Sequence, residues 1–138
     1  MKKKTILFVC THNSARSQLA EGLMRSLYGD SFEVSSAGTK PASVNPFAVK
    51  AMAEIGIDIT GQTSKNVQEF LGIEFDYVVT VCDYAKETCP FFPGGGKYIH
   101  KSFRDPAAVI GTDEVKLAAF RMVRDEIKDW LQKTFAKL

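Results

Sequence analysis

Two short apolar runs constrain this chain more than anything else in it. Thr5 to Val9 ("TILFV") and Tyr77 to Val81 ("YVVTV") are continuous, rich in β-branched residues, and each is followed at once by a cysteine, Cys10 and Cys82. A run of that kind, without polar alternation, suits a strand buried on both faces, as in a parallel sheet. After Val9 a polar loop leads to Leu19, Leu23, Met24 and Leu27 at helical spacing, with Gly29 as a stop. Phe32 to Ser36 reads as a second strand, ended by Gly38 and Pro41. Asn45 and Pro46 then form an N-cap and first helical position for a helix with Ala48, Val49, Met52 and Ile55 on one face and Gly56 beyond its end. A shorter strand is expected near Tyr98 to His100, and "PFFPGGGK" (Pro90 to Lys97) before it reads as a flexible insert. Thr112 caps the last helix, with Asp113 and Glu114 in its first turn and Phe120, Val123, Ile127, Trp130 and Leu131 as its apolar stripe. Strands alternating with helices give one α/β domain over residues 1–138, a four-stranded parallel sheet of flavodoxin-like order with helices on both faces.

In such a sheet, ligands bind outside the carboxyl ends of the strands. Cys10 follows the first strand, Cys82 the third, and Asp105 the region after the fourth. Three chemically capable residues therefore fall on the functional edge. Bulk properties narrow the ligand. The 18 basic and 16 acidic residues leave a net charge of +2, too weak a field for nucleic acid, so any anion must be held locally. The opening "MKKKTILFV" turns polar at "THNS" before reaching the roughly 7–15 apolar residues of a secretory signal or the ~20 of a membrane span. A cytoplasmic, monomeric protein without membrane or nucleic-acid partners is expected. Three cysteines, an odd number, argue against a disulfide framework and leave burial, metal binding or redox chemistry. No C-x2-C or H-x3-H spacing supports zinc, and no metal is expected.

The loop "CTHNSARS" joins a strand end to a helix start, where successive backbone N–H groups can turn inward around a tetrahedral oxyanion. Thr11, His12, Asn13, Ser14, Ala15, Arg16 and Ser17 are its candidate anion-binding residues. Arg16 can supply two parallel hydrogen bonds to ligand oxygens. The inward N–H groups and positive helix end favour a thiolate at Cys10, and Ser17 can donate to that sulfur. The competing reading makes Cys10 a small buried strand-end residue.

"CTHNSARS" resembles the C-x5-R-S loop of the low-molecular-weight tyrosine phosphatase fold, and "RDPAA" resembles the Asp-Pro that carries the general acid there. The resemblance extends over nearly the whole chain, including "SSAG" after the second strand. It implies Cys10 as nucleophile, Arg16 as oxyanion clamp and Asp105 as acid. A phosphatase needs one cysteine, and "VCDYAKETCP" is similar to the paired cysteines of thioredoxin-coupled arsenate reductases on this fold. That likeness implies a relay without bound cofactor: Cys10 attacks arsenate, Cys82 resolves the adduct, Cys89 resolves the Cys10–Cys82 disulfide, and reduced thioredoxin takes the final Cys82–Cys89 disulfide. A tyrosine phosphatase with incidental downstream cysteines and a non-catalytic oxyanion-binding redox sensor remain the alternatives. "DPAA" lacks the tyrosines that often follow the Asp-Pro in phosphatases of this fold.

Were "DYAKET" helical, Cys82 and Cys89 would stand about 10 Å apart along the axis. A disulfide needs Cα atoms within about 7 Å, so this segment must unwind to be oxidised. Relatives often carry Gly at the position of His12 and a further Cys at that of Ala15. Some hold potassium beside the loop through residues matching Asn13, Glu21 and Ser36, with an aspartate matching Lys65. Here the Lys65 ammonium can replace the ion in supporting Asn13, and no potassium requirement is expected.

Overall fold

The computed structural model describes residues 2–83 and 91–136, so Cys89 and most of the "DYAKET" stretch lie outside the described residues. Four strands, β1 (Lys4–Cys10), β2 (Phe32–Gly38), β3 (Phe75–Thr80) and β4 (Gly95–His100), form one parallel sheet in the order β2-β1-β3-β4. β1 is paired on both sides, which explains its uninterrupted apolar run: Ile6, Leu7, Phe8 and Val9 are all fully buried. Even-numbered positions of β1 face one core and odd-numbered positions the other.

On the first face pack α1 (Arg16–Tyr28), α2 (Pro46–Ala53) and α3 (Asp113–Phe135), whose Leu19, Leu23, Met52, Phe120, Val123, Ile127 and Leu131 meet Ile6 and Phe8 in a single core. On the opposite face, Leu7, Val9, Phe75 and Val78 are covered by Phe92 and by a 3-10 helix, Val67–Phe70. The caps are where the sequence places them. Asn45 Oδ1 accepts from the Phe47 amide ahead of Pro46, and Thr112 Oγ1 accepts from the Val115 amide. Gly56 takes φ +79° just past α2, as a helix-ending glycine does. Gly29 differs: it closes α1 at φ −60°, with its amide bonded to Arg25 O.

The glycine-rich insert is largely structured. Gly95 and Lys97 pair with Phe75 and Tyr77, and Phe92 is anchored at 1% exposure with its ring edge-on to Phe75. A parallel edge strand takes its ladder from β3, so this segment needs no apolar alternation to be ordered. Glycine is also required at one point, because a Cβ on Gly95 would sit 2.8 Å from Val78 and 2.9 Å from the Tyr98 ring. Among the described residues no helix is long and apolar enough to cross a membrane.

Candidate active site

At the carboxyl edge of the sheet, Cys10 ends β1 and the chain enters a loop that runs to the start of α1 at Arg16. Each loop carbonyl is held by a donor from the surrounding structure. Thr11 O accepts from the Lys40 amide (2.9 Å), His12 O from the Ala42 amide (3.1 Å) and Ser64 Oγ (3.0 Å), Asn13 O from Gln18 Nε2 (3.0 Å), and Ser14 O from the Asn45 amide (3.0 Å). In a trans peptide, C=O and the following N–H point in opposite directions. Pinning four carbonyls into the protein therefore turns the amides of His12, Asn13, Ser14 and Ala15 the other way. The result is a cradle of N–H donors, continued by the start of α1, which has no side-chain cap and no acidic residue in its first turn. The cavity there, about 120 Å³, is lined by Cys10, His12, Ser14, Ala15, Arg16, Ala42, Asp105 and Ala107.

Asn13 makes this turn possible. It is the sole described non-glycine residue with positive φ (49°), and its side chain, fully buried, is bonded at both ends. The Lys65 amide can only donate, so the atom it meets at 2.8 Å is Asn13 Oδ1. Nδ2 then faces Ser17 Oγ (2.7 Å) and Ser36 Oγ (2.9 Å) and donates to both. Ser17 Oγ, besides accepting from Asn13, lies 2.9 Å from the Cys10 sulfur, within hydrogen-bond reach. Ser36 donates to Glu21 Oε1 (2.5 Å), whose carboxylate is 4% exposed and meets Arg25 (2.8 Å) and Lys65 Nζ (3.8 Å). Lys65 Nζ also donates to Thr63 O. The loop-support group expected at Asn13, Glu21, Ser36 and Lys65 is thus one connected network, with an ammonium beside the buried carboxylate.

Across the cavity, Arg16 is buried to 3% exposure and donates from one guanidinium nitrogen to Phe103 O (3.2 Å). Its other terminal nitrogen lies 3.8 Å from Asp105 Oδ2. Asp105 caps a 3-10 helix, Pro106–Ala108, through Oδ1 and the Ala107 amide (3.0 Å), which leaves Oδ2 directed at Arg16 and the mouth. A thiol, a guanidinium and a carboxyl group thereby converge on a site sized for a small tetrahedral anion, with amide donors around it.

Cys82 follows β3 and is fully buried, and its sulfur lies 3.8 Å from Val9 O, the carbonyl that also accepts from the Val81 amide (3.1 Å). Cys10 and Cys82 are both buried cysteines at the carboxyl ends of neighbouring strands. His12 is exposed at the rim and serves the cradle through its backbone. His100 ends β4 between Thr80 Oγ1 (2.7 Å) and Ser102 Oγ (3.0 Å), where burial pushes its imidazole below the ordinary histidine range.

Sequence reasoning missed several contributors, among them Gly38, Gln18, Phe103 and Ala42. Gly38 pairs with Cys10, and a Cβ there would lie 2.5 Å from Thr11 O and 2.9 Å from both Cys10 O and Asn13 N. A glycine closing the strand beside a cysteine-bearing strand end was the available signal. Gln18, Phe103 and Ala42 act through distant backbone contacts that no local pattern announces.

A family model described as low molecular weight phosphotyrosine protein phosphatase matches residues 5–138. The chain is 51% identical over 137 residues to an arsenate reductase of Halalkalibacterium halodurans, covering 99% of this chain and 98% of that one. It is 47% identical, with the same coverage, to an arsenate reductase of Bacillus subtilis. Among solved structures, an arsenate reductase in its phosphate-binding state superposes with a TM-score of 0.81 at 34% identity, covering 97% of this chain and 98% of that one. The thioredoxin-dependent arsenate reductase of Corynebacterium glutamicum superposes with a TM-score of 0.69 at 26% identity, over 99% of this chain and 64% of its own.

Proposed function

The chain belongs to the low molecular weight phosphotyrosine protein phosphatase family and, within it, to the arsenate reductases, and from that premise we propose that it reduces arsenate to arsenite through three cysteines, with thioredoxin as the reductant. The observation that carries the relay is the placement of two buried cysteines, Cys10 and Cys82, at the carboxyl ends of adjacent strands, one of them lining an anion-sized cavity.

Arsenate enters the cradle with its oxygens on the loop amides and the Arg16 guanidinium. Cys10 attacks arsenic as a thiolate, its sulfur within hydrogen-bond reach of the Ser17 hydroxyl, and Asp105 protonates the oxygen that leaves as water. Cys82 then attacks the Cys10 sulfur. The electron pair of the sulfur–arsenic bond passes to arsenic, which departs as arsenite, and a Cys10–Cys82 disulfide remains. Cys89 attacks Cys82 and releases Cys10 as a thiolate. The two thiols of reduced thioredoxin reduce the resulting Cys82–Cys89 disulfide, so each arsenate consumes one dithiol. A chemistry that cycles through free thiols belongs in the cytoplasm.

Hydrolysis of phosphate monoesters is the second reading, favoured by the convergence of Cys10, Arg16 and Asp105 alone. One variant separates the two. Cys89→Ser abolishes multiple-turnover, arsenate-dependent oxidation of thioredoxin and leaves aryl phosphate hydrolysis within about twofold of the parent. Arsenate turnover that survives the substitution refutes the relay. A parent that hydrolyses the ester and reduces no arsenate is a phosphatase.

A further inference from the structure

Of the four carbonyls whose anchoring shapes the cradle, three are held by main-chain amides and only one, Asn13 O, depends solely on a side chain, that of Gln18. Gln18 sits fully buried on the first turn of α1, outside the cavity and out of reach of a bound anion. Its amide is saturated. Nε2 donates to Asn13 O (3.0 Å) and Thr63 O (2.9 Å), and Oε1 accepts from Gln62 Nε2 (2.8 Å). Because two of those three neighbours are carbonyls, which only accept, the amide has a single possible orientation.

The contacts close into a ring. Asn13 donates to Ser36, Ser36 to Glu21, Arg25 to Glu21 and to Gln62, Gln62 to Gln18, and Gln18 back to Asn13. Asn13 is therefore held twice, by its side chain through Ser36 and by its carbonyl through Gln18. The side-chain hold keeps the residue in place. The carbonyl hold sets the rotation of the peptide between Asn13 and Ser14, and hence the direction of the Ser14 amide, at the strained φ of 49°.

We propose that Gln18 is a positioning residue that aims the Ser14 amide at the bound oxyanion, so that anion affinity depends on a side chain that never touches the anion. The proposal rests on the anion-cradle reading above. Without the Gln18 donor the Asn13–Ser14 peptide is free to rotate toward a less strained conformation. The cradle then loses one well-aimed donor to a charged ligand, and binding weakens about tenfold, or about 1.4 kcal/mol.

The test uses inorganic phosphate, measured as a competitive inhibitor of arsenate reduction and by direct titration. Gln18→Met, close in volume and without a donor, raises the phosphate inhibition constant and the KM for arsenate together by about tenfold, while the single-turnover rate at saturating arsenate stays within about twofold. Gln62→Met, which leaves Gln18 Nε2 with both its acceptors, changes either constant by less than about threefold. Gln18→Glu adds a readout that a merely structural role does not move. Protonated, the introduced carboxyl regains one donor for Asn13 O, so the ratio of variant to parent inhibition constants falls as pH is lowered. The proposal is overturned by phosphate affinity within twofold in Gln18→Met, or by equal losses in Gln18→Met and Gln62→Met. Should Gln18→Met fail to fold, a pH-independent ratio for Gln18→Glu overturns it. A parent that binds phosphate yet reduces no arsenate defeats the proposed function and leaves this inference standing.

Discussion

Substituting Gly38 by alanine should damage the active site out of proportion to the single methyl added. The new Cβ would stand 2.5 Å from Thr11 O and 2.9 Å from both Cys10 O and Asn13 N. All three are main-chain atoms of the strand end and cradle, so no side chain can swing away to make room. Gly38 is itself held, paired with Cys10 and donating its amide to Lys65 O at 2.9 Å. Relief must come from moving the loop by roughly 0.5–1 Å. Overpacking of this kind costs about 3 kcal/mol, or roughly 10 °C in Tm for a domain of this size. A displacement of that order at the reacting groups lowers turnover about 10²-fold. Gly61→Ala is the matched control: its Cβ meets nothing within 4 Å, and its stability should stay within about 0.5 kcal/mol of the parent. Thermal denaturation, arsenate-dependent thioredoxin oxidation and aryl phosphate hydrolysis give the three readouts, and both activities should fall together because both use the cradle. A Gly38→Ala protein melting within 2 °C of the parent, with both activities within about twofold, would refute the reasoning.

Other expectations follow from the same contacts. Replacing potassium by sodium at equal ionic strength should leave activity unchanged, because Lys65 Nζ already stands 3.8 Å from Glu21 beside Asn13; strong stimulation by potassium counts against that role. Hydrogen bonds from Arg121, joined by Arg124, hold the Glu54 carboxyl below the usual carboxylate range. Its contribution to stability is therefore complete above the ordinary carboxylate pKa and is lost as pH falls through the lower folded value. Urea midpoints of parent and Glu54→Gln should converge in acid, and a gap independent of pH counts against the linkage. Phe92→Ala should cost about 3–5 kcal/mol by denaturant unfolding, since the ring fills the second core at 1% exposure; a loss under about 1 kcal/mol would show that this core collapses freely.

Much of the architecture was legible because it is written in local patterns. The unbroken apolar runs at Thr5 to Val9 and Tyr77 to Val81 admit few environments besides the doubly covered strands of a parallel sheet. Asn45-Pro46 and Thr112 are caps wherever they precede a helical stripe. The edge strand was read short, as Tyr98 to His100 rather than Gly95–His100, because its order comes from β3 and from the buried Phe92 rather than from its own residues.

The site divides along the same line. Cys10, Arg16 and Ser17 were legible because a thiol after a strand and an arginine at a helix start state a chemistry in their own residue types, and Asp105 because the family resemblance of "RDPAA" pointed to it. Sequence alone therefore pointed to a loop suited to a tetrahedral anion beside a thiol, and the resemblance carried by Cys82 and Cys89 indicated which redox chemistry to look for. Only tertiary structure decided how the cradle is aimed. The direction of an amide depends on what holds the carbonyl of the same peptide, and those anchors come from Lys40, Ala42, Asn45 and Ser64 on distant segments and from Gln18 folded back from α1. It also decided that Gly38 must be glycine. That follows from close approach between segments far apart in the chain, and such proximity exists only once the sheet has formed.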